Sequence, residues 1–170
     1  MIHPDVCRAM GRFESLGGTP EPAAAEIDAE IDAEVDNVEY GAAVARIGSR
    51  RLRLRVAKVT PTKVGLFVAV WRRSATGSTE PFPHDDVDHL VIITTEGRRS
   101  GLFVFPRPAL TRHGIVSVAG RGGKRGFRVY PPWSATANAQ AISTQAWQGE
   151  FFLDTDDGVD LDRMRTLLGP

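Results

Sequence analysis

A chain of 170 residues, 42% hydrophobic and 25% charged, has globular proportions and room for one real core but not a second independent one. Its single cysteine, Cys7, excludes an internal disulfide and a cysteine-built zinc cluster, and fits a reducing compartment. The 21 basic and 21 acidic residues cancel, which excludes a simple polycation. No apolar run approaches the roughly 20 residues of a membrane span, and the start MIHPDVCRAMGRFESLGG lacks a signal peptide's apolar stretch. The expected protein is soluble and cytoplasmic, with no membrane partner.

The neutral total hides a block pattern. Residues 1–41 carry ten acids and two bases, 42–79 nine bases and no acid, and 80–96 five acids and no base. Residues 97–149 then carry eight bases and no acid, and 150–170 six acids and two bases. Binding to a polyanion depends on where positive charge sits, and two long segments hold no carboxylate at all. The same pattern also suits basic strands that pair with acidic helices.

In chain order, residues 5–16 read as a short amphipathic helix, with Val6, Ala9, Met10, Phe13 and Leu16 at helical spacing and Gly17-Gly18 to stop it. Thr19-Pro20 starts a second, acidic helix whose body AAAEIDAEIDAEVDNVEY sets Ile27, Ile31, Val35 and Val38 on one face. From Gly41 the period changes to two. AAVARI and LRLRVAKV form a hairpin about GSRR, with Leu52, Leu54 and Val56 on one side and Arg51, Arg53 and Arg55 on the other. TPTKVG is a turn, LFVAVWRR a strand, and SATGSTEPFPHDD a polar loop. LVIITT and GLFVFP form a second hairpin about EGRRS, and their continuous apolar runs suggest strands covered on both faces. PRPALTRHG allows one or two helical turns, GFRVYP is a strand, ATANAQAISTQAWQGEFF a helix, and the acidic end holds a short helix. This order gives an α+β (α/β-like) single domain with a central mixed sheet flanked by helices.

RVAKVTPTKVG (55–65), GLFVFP (101–106), GFRVYPPW (126–133) and TQAWQ (144–148), in that order, resemble the MepB family of small bacterial proteins. Glu39-Tyr40-Gly41, Pro81-Phe82 and Asp88 before LVII match the same pattern. The resemblance spans about Glu39 to Phe152, which divides the chain into an N-terminal extension 1–18, a family-like domain 19–153 and an acidic tail 154–170. It implies a core similar to restriction-endonuclease-like domains. In such nucleases carboxylates on neighbouring strands hold Mg²⁺ or Mn²⁺ while a lysine orients the attacking water. Glu39 fits the helix position and Asp88 the first acidic position, so these two are the metal candidates, with Lys58 the catalytic lysine. The third element is missing, because GLFVFP carries neither carboxylate nor lysine. No organic cofactor is expected.

Other features each admit two readings. Thr60, Thr62 and Lys63 beside Pro61 put hydroxyl, ammonium and backbone N–H groups together, as a phosphate site needs. They equally make a turn whose threonines bond their own backbone. GRGGKRGFRVYPPW offers Lys124, Arg125 and Arg128 to a nucleic-acid backbone, or makes a basic loop before a core strand. An arginine at 128, between Phe127 and Val129, needs a partner, and Glu39 or Asp88 would serve. Gln145 and Gln148 can read a base edge or a phosphate, or cap buried backbone. HDDVDH (84–89) is a metal cluster or a solvated acidic turn. No GxSxG motif and no Cys/His pairing is visible.

Three functions remain: a nucleic-acid-associated protein, DNA ahead of RNA, with metal-dependent nuclease chemistry at its limit; a non-catalytic binder of an anionic small molecule such as a nucleotide; or a partner-binding protein whose acidic segments meet a basic surface.

Overall fold

The alternation in LRLRV organises the molecule. Leu52, Leu54 and Val56 enter one core with the first and last helices, while Arg53 and Arg55 point to the opposite face, toward a second core. The computed structural model describes residues 2–14, 32–33, 38–47 and 49–169. The central sheet runs β1-β2-β3-β8-β9-β11, built from Asp32–Ala33, Ala43–Ile47, Arg50–Val56, His89–Glu96, Arg99–Pro106 and Phe152–Asp154. Its β3–β8 pair is parallel and the other pairs are antiparallel, so the sheet is mixed. Both expected hairpins form, β2–β3 and β8–β9. The interior strands β8 and β9 are covered on both faces, as their unbroken apolar runs require.

Helices α1 (Pro4–Glu14) and α4 (Leu161–Leu168) cover the first face. Val6, Ala9 and Met10 from α1 and Met164, Leu167 and Leu168 from α4 share one core with Leu52, Val91 and Leu102. Both of these helices therefore belong to the folded body. Asp160 caps α4 by accepting from the Arg163 N–H at 2.9 Å. Among the described residues no helix is long and apolar enough to cross a membrane.

The second face is covered by a smaller sheet, β10-β5-β4 (Gly126–Val129, Lys63–Ala69, Lys58–Thr60). Leu66 and Val68 of β5 and Phe127 and Val129 of β10 face Leu90, Ile92, Phe103 and Phe105 of the central sheet. The expected single strand LFVAVWRR is split: after Val70 the chain starts β6 (Trp71–Arg73), which pairs with β7 (Thr79–Pro81). The short helix α2 (Arg107–Arg112) follows β9. Helix α3 (Ala139–Gly149) starts at the Asn138 cap and lies against β10.

The second helix expected after Thr19 lies mostly outside the described residues. Where the chain is described, Asp32–Ala33 is a strand paired with Ala43 and Val44, and 38–40 is a single 3-10 turn. Tertiary pairing at the sheet edge overrides helix propensity at those positions.

His89 opens β8 on the α4 side and is 7% exposed. Burial, and next the Arg50 guanidinium, hold its imidazole below the usual 6.5, with Arg107 pulling the same way. Asp88 and a hydrogen bond with the Leu167 backbone oppose the shift without reversing it. The unfolded chain then binds the extra proton more readily than the folded one, so stability is lost as pH falls below about 6.5. In thermal melts between pH 7.5 and 5, His89→Leu is expected to lose less Tm on acidification than the wild type. Parallel pH profiles would assign the acid loss to other groups.

Candidate functional site

Two places in the fold gather charge, and they use it differently. At the start of β3 and β8, Asp86 and Asp88 are occupied by arginines. Asp86 takes Arg51 Nη1 on Oδ1 at 2.6 Å and, on Oδ2, Arg53 Nη2 at 2.6 Å and Arg72 Nη1 at 3.3 Å. The Arg53 guanidinium lies 4.3 Å from the Phe82 ring centroid, and that of Arg55, fully buried, lies 5.2 Å from it. The arginine side of the strand is thus a layer in which Arg53 and Arg55 are buried against Phe82 and the loop that carries Asp86. Asp88 accepts the Arg51 backbone N–H at 2.7 Å and Arg107 Nη2 at 2.5 Å. Within the cluster HDDVDH, Asp85 is exposed while Asp86 and Asp88 are held by arginines, so the cluster does not gather as one metal site. It ties the polar loop and α2 to the first residues of β3.

Glu39 and Lys58 stand at the other end of β3. Lys58 Nζ lies 3.3 Å from Glu39 Oε2 and 4.4 Å from the Tyr40 ring centroid. Asp88 sits beside Arg51, seven residues before Lys58 on an extended chain, a separation of roughly 20 Å at about 3.3 Å per residue. The expected shared site of Glu39, Lys58 and Asp88 does not form, because β8 pairs in parallel with the start of β3. The two carboxylates do not fit one Mg²⁺ or Mn²⁺: they do not converge, and both Asp88 oxygens are already taken. Among the described residues no three His, Cys, Asp or Glu side chains group as a metal site.

The second gathering is on the small sheet. A cleft of about 380 Å³ lies between β10 and α3, lined by Lys124, Arg128, Tyr130, Gln140, Thr144 and Trp147 among others. A neighbouring cleft of about 330 Å³ shares Arg128, Tyr130, Asn138 and Ala141 with it and adds Lys63. Together they make one groove whose lining holds no carboxylate. Lys63 comes from the first acid-free segment and Lys124 and Arg128 from the second, so the fold brings the two basic blocks together. At one end Trp147 stacks on His113 with ring centroids 3.8 Å apart, a pairing that no local sequence signal marks. Burial, then Arg112, keep the His113 imidazole below its usual pKa, against Glu150.

The other expected binding residues divide into groove members and struts. Thr62 is exposed in the two-residue turn between β4 and β5. Arg128 finds neither Glu39 nor Asp88. It donates to Thr60 Oγ1 at 2.5 Å and to the carbonyls of Val64 and Gly65 at 3.2 and 3.1 Å, bracing that turn while its side chain lines the groove. Arg125 Nε donates to the Thr79 carbonyl at 2.9 Å and braces β7. Gln145 donates to the carbonyls of Pro131 and Ser134 and accepts from Thr136, which holds the loop before α3. Gln148 is fully buried: it accepts the Tyr130 N–H at 2.8 Å and donates to the Arg128 carbonyl at 2.9 Å. In this structure both glutamine amides bond to protein groups, Gln148 to backbone at 128 and 130 and Gln145 to the Pro131 and Ser134 carbonyls and the Thr136 hydroxyl.

A family model described as MepB-like matches residues 34–154. The chain belongs to the MepB-like family. A crystal structure of MepB is 35% identical, with TM-score 0.73 over 76% of this chain and 87% of that one. A bacterial homing endonuclease aligns at 11% identity and TM-score 0.44 over 84% of each chain. No curated protein matches. The MepB-like match contains the groove's lining residues and both ends of β3, and it leaves out α1 and α4, which cover the opposite face.

Proposed function

We propose that this MepB-like chain is a nucleic-acid-binding protein whose contact surface is the groove between β10 and α3. One observation carries the reading: in a chain of zero net charge, Lys63, Lys124 and Arg128 line a continuous groove that no carboxylate enters. Away from the groove, Asp86, Asp88 and Asp156 are each paired with an arginine. A polyanion approaching this groove displaces counterions and meets no opposing carboxylate in its lining. Glu39 and Asp88 stand at opposite ends of β3, so positions 39, 58 and 88 do not make up one site.

The test is retention of fluorescent oligonucleotides by the full chain from 50 to 300 mM salt. Three phosphate contacts give a log–log slope of about −2 to −3. Lys63→Gln with Lys124→Gln lowers the slope by about 1.5 and weakens all sequences alike. No retention at low salt, or retention indifferent to salt, overturns the proposal. A second reading has its own observation, because a cleft of about 380 Å³ is the size of a small-ligand site. A nucleotide ligand would bind as tightly alone as within an oligomer, whereas a strand-binding groove gains affinity with length.

Glu39→Gln separates the binding reading from metal-dependent nuclease chemistry. The change removes the carboxylate that neutralises Lys58, and oligonucleotide affinity is expected to rise about 2-fold at low salt. A nuclease that needed Glu39 would instead lose its metal-dependent cleavage, which digestion with Mg²⁺ or Mn²⁺ against chelator detects.

A further inference from the structure

The outward face of the small sheet carries rings and cations in register. Lys58, Phe67 and Arg128 are direct cross-strand partners on β4, β5 and β10, so one row reads cation, ring, cation. Tyr130 follows two residues after Arg128, on the same face and diagonal to Phe67. Both rings lie down on the sheet instead of standing off it, because glycines sit beneath them. A Cβ on Gly126 would fall 2.5 Å from the Phe67 ring, and one on Gly65 2.6 Å from the Tyr130 ring. Gly65 also has φ +78°, so the position favours glycine on two counts. Tyr40 packs edge-on to Phe67 with centroids 6.3 Å apart, and Lys58 lies over Tyr40. Lys58, Phe67, Arg128 and Tyr130 are each partly exposed.

Ring-over-glycine packing by itself stabilises a sheet. Here the rings also lie among Lys58, Lys63 and Arg128, and Tyr130 and Arg128 are shared with the groove. Phe67 and Tyr130 are diagonal across β5 and β10, one ring over Gly126 and the other over Gly65, so the face holds two separate platforms for bases of an extended strand. A duplex keeps its bases stacked on one another and offers this face only phosphates. A single strand offers π-faces as well. From this arrangement we infer that the partner is single-stranded nucleic acid, with bases stacked on Phe67 and Tyr130 and phosphates held by Lys63, Lys124 and Arg128. The inference rests on the nucleic-acid reading above and deepens it.

Fluorescence anisotropy with the full chain tests it, using four probes of equal length: dT12, rU12, a 12-bp duplex, and a 12-unit abasic deoxyribose-phosphate strand. At 100 mM salt dT12 or rU12 is expected to bind at least 10-fold more tightly than both the duplex and the abasic strand. Phe67→Leu and Tyr130→Leu each lower affinity for the base-bearing strand by about 5- to 100-fold. The same variants change abasic-strand binding less than 2-fold. The wild-type comparison stands even where a variant fails to fold. Equal binding of base-bearing and abasic strands, or of single strand and duplex, overturns the inference and leaves the groove reading in place. No binding of any probe overturns both.

Discussion

Asp86→Ala is expected to destabilise the fold by about 2–4 kcal/mol, because it leaves a half-buried cluster of guanidinium groups without its shared anion. Asp86 is one carboxylate shared by Arg51, Arg53 and Arg72, and the Arg53 side chain is only 11% exposed. Removing it takes the anionic partner from a guanidinium buried under the Phe82 ring, where water replaces it poorly. The Phe82 ring stays over Arg53, and the Asp86 carbonyl still accepts from Arg53 Nε at 3.3 Å, which keeps the loss below that of an isolated buried charge. Urea unfolding measures it, with Tm expected to fall by about 5–12 °C in a chain of this size. Asp85→Ala, one residue away and exposed, is the control and is expected within about 0.5 kcal/mol of wild type. Equal effects at the two positions would mean that the acidic loop acts through general charge and that the arginine layer is held by packing alone.

That arginine layer marks where the sequence is legible and where it stops. Period-two alternation in LRLRV correctly separates Leu52, Leu54 and Val56 from Arg51, Arg53 and Arg55, but alternation says nothing about what covers the second face. The cover is the small sheet, made where β3 continues past Ala57 into β4 and assembled with a strand some 60 residues later. Long-range pairing of that kind leaves no local trace. The same holds for Glu39 and Asp88. Both stand near strand ends, as their context indicates, yet which ends meet depends on the β3–β8 register, and that register sets Leu52 against His89. By contrast, the acid-free blocks need no register to be informative. Lys63, Lys124 and Arg128 converge because both blocks feed adjacent strands and the loops beside them. The glycines at 65 and 126 are visible as punctuation, but their use as floors for Tyr130 and Phe67 depends on pairing partners that only the structure supplies.

Gln148 provides the sharpest division between a ligand-reading residue and a strut. Strand β10 is an edge of the small sheet, and α3 lies along it. Gln148 acts there as a short substitute strand, satisfying the Tyr130 N–H and the Arg128 carbonyl with its amide. Gln148→Leu keeps the volume and removes both bonds, leaving a donor and an acceptor of the backbone facing an apolar side chain. The expected cost is about 2–4 kcal/mol, since each unsatisfied buried group costs about 1–3 kcal/mol. Urea unfolding reads the loss directly, and amide hydrogen exchange should localise it, with Tyr130 N–H losing protection first. At temperatures where the variant remains folded, the groove's cations are unchanged, so the salt slope of oligonucleotide binding is expected to match the wild type. A variant with wild-type stability and a reduced slope would reverse the assignment, returning Gln148 to the binding surface and requiring α3 to lift from β10 when the ligand binds.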